Sequence, residues 1–132
     1  CTEIIEQTGK ITGALNGTVN LSVDGFAVFN YTSDASANFV FNLRANGSTT
    51  LAAILPVDSS MTFAMVTQHG GTAYYCTGIS IDGQAQTVNW QGGTAPAAGT
   101  PNGIDVYSIT VIRTGSGNTD YRVLASATAY NN

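Results

Sequence analysis

Charge is the scarcest property of this sequence. Asp, Glu, Lys and Arg together make up 9% of the 132 residues, whereas globular domains average about a quarter. The cations are Lys10, Arg44, Arg113 and Arg122, and they lie far apart along a chain whose formal net charge is -4. Because binding to phosphate backbones needs clustered Lys and Arg, we expect no nucleic-acid partner.

Long apolar runs are also lacking. No stretch approaches the roughly 20 apolar residues of a spanning helix, so we expect no membrane insertion. An initiator Met and a signal-peptide pattern are missing too, which indicates a processed product or an excerpt from a longer chain. Neutral Thr, Ser, Asn, Gly and Ala cover the surface instead, as in many secreted, adhesive and virion proteins. Contacts made through such a surface depend little on ionic strength, because exposed ion pairs are what salt weakens.

Cysteine occurs twice, as Cys1 and Cys76. A disulfide between them would close most of the first half of the chain. Cys1 could instead bear the lipid of a bacterial lipoprotein, or stand at position 1 through an accident of where the chain was cut. For Cys76 the simplest interpretation is a small buried hydrophobic residue.

What the sequence does contain is alternation with a period of two, while helical periodicity is nearly absent. Asn-Gly and Asp-Gly pairs, such as Asn46-Gly47 and Asp82-Gly83, separate the alternating runs and favour tight turns. The predicted strands cover residues 18–23, 25–32, 38–45, 48–55, 60–68, 73–82, 86–90, 104–113 and 120–129. About nine short strands predict an all-β fold, an antiparallel β-sandwich or jelly roll.

Two segments do not fit the strand pattern. Residues 1–10 are polar and predict an N-terminal arm or a connection to a preceding domain. Residues 11–132 then form a single β-sandwich domain. Within it, the Gly-, Ala- and Pro-rich stretch 92–103 predicts a long structured loop, and such loops are often contact surfaces.

The last third of the chain carries a recognisable pattern. It reads W-x-G-G-x-x-P from Trp90 to Pro96, then D-V-Y-S from Asp105 to Ser108, then V-L-A-S from Val123 to Ser126. This pattern resembles the C-terminal β-domain of tail-fibre and other structural proteins of marine bacteriophages. In physical terms, Trp90 ends a strand and covers the open end of the sandwich, and Gly92-Gly93 let the backbone turn beneath it. Tyr107 is expected to plug the same end.

The resemblance implies a non-enzymatic structural protein of a virion, in a tail fibre, another appendage or a capsid decoration. It implies self-association, commonly as a trimer, together with attachment to other virion proteins or to the host surface. The implied location is the virion or the extracellular space. The alternative is a secreted carbohydrate-binding or adhesin β-sandwich domain.

Residues for catalysis, cofactors or metals are not apparent. His69 is the single histidine, no nucleophile motif accompanies it, and we expect it to be exposed in a loop. Most Asp residues stand beside Gly or Ser, where turn geometry explains them. Two Cys and one His far apart do not indicate zinc. The predicted contact or ligand surface comprises Tyr74, Tyr75, His69, Trp90, Pro96 and Pro101, with Tyr74-Tyr75 and His69 as a platform for a host-surface glycan or as ordinary core packing.

Overall fold

The computed structural model describes residues 5–131, and within them the regular structure is almost entirely β. The strands are β1 (Gly9–Ile11), β2 (Gly17–Ser22), β3 (Val28–Asp34), β4 (Phe39–Arg44), β5 (Ser60–Gln68), β6 (Cys76–Ile81), β7 (Gln84–Ala85), β8 (Val88–Trp90), β9 (Ile104–Arg113) and β10 (Tyr121–Tyr130). A short 3-10 helix, Gln91–Gly93, follows β8. No helix among the described residues is long and apolar enough to cross a membrane.

The strands form two sheets. The larger has the order β1-β3-β5-β9-β10-β8, and the smaller has the order β2-β4-β6-β7. From β1 to β6 the chain alternates between the sheets, so that odd strands join the first and even strands the second. This arrangement confirms the predicted β-sandwich.

The antiparallel pairing that we expected is wrong for much of the molecule. The ladders β1–β3, β3–β5, β2–β4, β4–β6 and β8–β10 are parallel, whereas β5–β9, β9–β10 and β6–β7 are antiparallel. For the ladders among β1 to β6 the reason is the connection: a strand that returns to the same sheet after crossing to the other one runs in its original direction. For β8 and β10 the intervening strand β9 lies in the same sheet and runs antiparallel to β10. A jelly roll, with its antiparallel strands, therefore does not describe the first six strands.

One hydrophobic core lies between the sheets. Alternation places Phe39 and Phe41 of β4 on the inner face of the smaller sheet, both at most 1% exposed. They meet Tyr107 of β9 edge to face, with ring centroids 5.8 and 5.7 Å away. Such aromatic pairs add about 0.5–1.5 kcal/mol to their area burial. The contact ties the two sheets together near the end that carries Trp90.

Most predicted strands exist, with shifted ends. The predictions 60–68 and 104–113 match β5 and β9 to the residue. The strand predicted at 48–55 is wrong, because that segment consists of turns and bends. Gly9 and Lys10, expected in the arm, belong to β1. Cys1 lies outside the described residues, so its pairing with Cys76 stays a prediction.

Candidate functional site

The W-x-G-G-x-x-P segment closes one end of the sandwich. Trp90 is the last residue of β8, pairs with Ala125 of β10, and packs against the core. Gly92 and Gly93 follow with φ of 75° and 78°, a region that glycine enters without steric cost. The two glycines therefore form the tight turn that directly follows Trp90.

A cleft of about 270 Å³ lies beside the indole, and we call it the Trp90 cleft. Its wall includes Trp90, Pro96 and Tyr107, which confirms that the tryptophan and the tyrosine lie at the same end. Tyr107 itself is 1% exposed, and its hydroxyl accepts a hydrogen bond from the Cys76 N–H at 3.0 Å. The tyrosine is thus a core residue whose polar end is satisfied.

Cys76 is buried, as interpreted from its sequence context. Burial raises the pKa of its thiol to about 11, and the Sγ lies 3.1 Å from the carbonyl oxygen of Gly78, to which it donates. Because the thiolate is the reactive form of cysteine, this residue is chemically inert at neutral pH.

A buried polar cluster stands behind the Trp90 cleft. The Asp105 carboxylate accepts hydrogen bonds from the Thr100 hydroxyl at 2.6 Å and from the Thr100 N–H at 3.0 Å. Its Oδ2 also lies 3.2 Å from His69 Nε2. Thr67 completes the cluster, since its hydroxyl lies 3.1 Å from the same nitrogen and donates to the Asp105 carbonyl oxygen at 2.7 Å. These bonds attach the loop at Thr100 to strands β5 and β9.

His69 is therefore not the exposed loop residue that we predicted: it is 3% exposed. Burial lowers the pKa of its imidazole, and the nearby carboxylates of Asp105 and Asp34 oppose that effect only partly. The ring is thus neutral at pH 7, with its proton on Nε2, where Asp105 and Thr67 accept it. Nδ1 is buried without a partner among the described residues.

The other predicted contact residues divide into two groups. Trp90, Pro96 and Tyr74 are partly buried, and Tyr74 packs against the core with Trp90. Tyr75 is also only partly exposed, whereas Pro101 is exposed. Since His69 is buried, the structure does not bring it together with Tyr74 and Tyr75 into an open platform.

A row of side chains that the sequence interpretation missed crosses the outer face of the larger sheet at one end. Asp34, Gln68, Ile104 and Tyr130 are successive partners across β3, β5, β9 and β10, and we call them the end row. Tyr130 is 55% exposed and Ile104 40%. These residues and His69 line an open cleft of about 430 Å³, the end-row cleft. Only the register of the strands brings these four residues together, and register cannot be read from a single sequence.

Among residues 5–131, no group of three or more His, Cys, Asp and Glu side chains is placed to hold a metal ion. Asp105 and His69 form the one Asp–His pair among these residues. Thr100 is hydrogen-bonded to Asp105 and Thr67 to His69, and the imidazole is inaccessible. The hydrogen bonds around this pair hold the backbone at Thr100 against β5 and β9.

No protein-family model matches the chain, and a comparison with curated proteins and with solved structures found no significant match.

Proposed function

We propose that this protein is a non-enzymatic structural module that associates with copies of itself through the outer face of its larger sheet. The observation that carries the proposal is an uncharged three-by-three array of side chains on strands β5, β9 and β10. Its rows are Thr62–Thr110–Leu124, Ala64–Ser108–Ser126 and Val66–Val106–Thr128. We call these nine residues the outer array.

The composition of the outer array suits contact with another protein surface. Four members are aliphatic and five carry hydroxyls, and the Thr62 and Thr110 hydroxyls bond to each other at 3.0 Å. Charged residues are depleted at the centres of protein interfaces because their desolvation is costly. A face without charges can thus be covered by an identical face with little electrostatic penalty.

The size of the face is also adequate. Strands spaced by about 4.8 Å that rise about 3.4 Å per residue give the outer array a projected area on the order of 250 Å². The whole outer face of β3, β5, β9 and β10 reaches about 600 Å², with Arg122 and Asp34 at its two ends. A standard interface covers about 800 Å² of accessible surface on each partner. Because side chains make the accessible area larger than the projected area, the whole sheet face comes close to that requirement without help from loops.

The role in a virion, as part of a tail fibre, another appendage or a capsid decoration, rests on the resemblance of Trp90–Ser126 and on the charge-poor surface. A trimer and contacts with other virion proteins follow from the same resemblance. A non-catalytic role is supported by the inaccessible His69 imidazole. Immunogold labelling of purified phage particles with an antibody to this domain tests the location.

The alternative function is carbohydrate binding or adhesion by a secreted domain. The uncharged surface is compatible with it. Burial of His69, however, removes one member of the platform predicted with Tyr74 and Tyr75. A glycan-binding role therefore needs another set of side chains.

The test of self-association is Ser108→Glu, which places a charge at the centre of the outer array. Ser108 is exposed in the single chain, so the substitution leaves the fold intact, while burying a carboxylate in an interface costs several kcal/mol. By multi-angle light scattering at micromolar concentration, we expect an oligomer for the wild type at low and high salt, and a monomer for Ser108→Glu.

Ser116→Glu is the matched control, because Ser116 is exposed in the loop between β9 and β10. This variant should retain the oligomer. A wild-type monomer, or an oligomer that survives Ser108→Glu, would contradict the proposal.

A further inference from the structure

We propose that the end-row cleft binds a neutral saccharide, with Tyr130 as the stacking surface and Asp34 as the principal hydroxyl acceptor. The site lies beside the outer array and does not require self-association. Its position follows from register, since Asp34 pairs with Gln68, Gln68 with Ile104, and Ile104 with Tyr130.

The apolar half of the row consists of Ile104 and Tyr130. Tyr130 is the most exposed aromatic side chain of residues 5–131, at 55%, and Ile104 beside it is 40% exposed. An aromatic ring offers a broad apolar face at low cost in conformational entropy, with a hydroxyl at its tip. The C–H face of a pyranose ring is complementary to such a surface.

The polar half of the row supplies both donors and acceptors. Gln68 Nε2 donates to Asp34 Oδ1 at 2.9 Å, which orients the carboxylate and leaves Oδ2 outside this bond. The carboxamides of Asn102 and Asn131 line the same cleft. Carboxamides donate and accept, as sugar hydroxyls do, whereas an ammonium ion needs acceptors only. No Lys or Arg lines the cleft, so nothing there would attract an anion.

Two glycines let the backbone pass close to the row residues. A Cβ on Gly70 would lie 2.9 Å from Asp34 Oδ2, and a Cβ on Gly103 would lie 2.6 Å from Thr100 Cγ2 and 2.8 Å from the Tyr130 carbonyl oxygen, so a larger residue at either position would displace these groups. His69 borders the cleft as well, but its side chain is buried and contributes no contact to a ligand. The volume of about 430 Å³ falls within the usual range of small-molecule sites, about 300–1,000 Å³.

The test uses an immobilised set of neutral oligosaccharides of glucose, galactose, mannose and N-acetylglucosamine, followed by calorimetric titration of each one bound. We expect binding by the wild type. Tyr130→Ala and Asp34→Asn should each weaken it by about tenfold or more, because each removes a principal contact. Tyr130→Phe keeps the ring and should bind within a few-fold of the wild type.

Matched controls come from the same molecule. Asp24→Asn alters an exposed carboxylate that accepts from the Asn46 side chain, and Val57→Ala removes an exposed apolar side chain from the segment before β5; both should bind as the wild type does. Unfolding curves establish that each variant is folded, and light scattering reports self-association separately.

Three results would overturn the saccharide proposal. The first is no binding of any oligosaccharide by the wild type, and the second is binding that survives both Tyr130→Ala and Asp34→Asn. The third is binding of a lysine-rich peptide with no binding of sugars, which would make the end row a cation site. None of these results bears on the oligomeric state, so failure here is distinct from failure of the self-association proposal.

Discussion

The Asp105 carboxylate is the one acidic side chain buried among the described residues. An isolated buried carboxylate is very costly, but hydrogen bonds to the charged form offset that cost. Thr100 and His69 together supply three donors to its two oxygens. The result is a fixed attachment of the loop to the sheet, achieved through one side chain.

The first prediction concerns pH. The pKa of His69 is lowered in the folded protein relative to 6.5, so below pH 6.5 the unfolded chain binds a proton more readily than the folded one. Stability from this residue is therefore complete above pH 6.5 and declines as pH falls through the lowered pKa. Urea unfolding curves measured between pH 8 and pH 5 should show that decline.

His69→Gln is the control for the pH prediction. Glutamine has no titration in this range and can still donate to Asp105, so the difference in unfolding free energy between the two proteins should shrink as pH falls. Parallel pH profiles for the wild type and His69→Gln would contradict the assignment.

The burial of His69 could not be predicted from its neighbours. Gln68-His69-Gly70-Gly71 has the composition of an exposed turn, and only the approach of Asp105, 36 positions later in the sequence, makes an interior position tolerable. Trp90, Gly92 and Gly93 were predictable because their roles are local. Chemistry that depends on strand register, as in the end row, was not.

At the scale of elements, the segment 48–55 is the clearest departure from the sequence-based prediction. Two distant side chains help to fix its conformation. The Asp82 carboxylate accepts from the N–H groups of Leu51 and Ala52, the bond from Ala52 being 3.2 Å long. Arg113 Nη1 donates to the carbonyl oxygens of Ala52 and Leu55 at 2.8 and 2.7 Å. Turn bonds from the N–H groups of Ala53, Ile54 and Leu55 to the carbonyl oxygens of Thr50 and Leu51 satisfy others. One acid, one base and local turns thus replace the partners that a strand would have had.

The second prediction follows from that arrangement. Arg113→Lys should lower the free energy of unfolding by about 1–3 kcal/mol, because lysine cannot reproduce the planar set of bonds to Ala52, Leu55 and Gly115. Urea denaturation measures the loss. Arg122→Lys, at an exposed position, should change stability by no more than about 0.5 kcal/mol. Equal effects of the two substitutions would contradict the anchoring role.

The strands themselves were predicted well wherever alternation is strict. In β5 and β9 buried residues alternate with more exposed ones, so the bounds of the alternating pattern agree with the bounds of the strands. Alternation reports which face a residue occupies, but it is the same for parallel and antiparallel neighbours. This is why the sandwich was predictable and the direction of its ladders was not.

At the scale of the whole molecule, pairing is mostly between distant parts of the chain. The β3–β5 ladder pairs Val28 with Ala64, and the β4–β6 ladder pairs Phe39 with Cys76. Closing such separations costs conformational entropy before the contacts contribute. Folding is therefore slow compared with that of a helical bundle of equal length.

The third prediction is a refolding time between milliseconds and seconds, the range of β proteins dominated by non-local pairing. Trp90 is the only tryptophan, so its fluorescence after stopped-flow dilution from urea reports closure of that end of the sandwich. Far-UV circular dichroism should follow the same single phase. Refolding within microseconds would contradict the prediction.

The alternating path of the first six strands allows further strands to be added to both sheets. From Gly9 to its partner Phe29, or from Gly17 to its partner Phe39, the chain completes one lap that deposits a strand in each layer. A copy of the first lap inserted before β1 would add an edge strand to each sheet and leave every existing pair of neighbours unchanged. Molecules of this design can thus gain breadth by tandem duplication while the Trp90 end and the end row remain as they are.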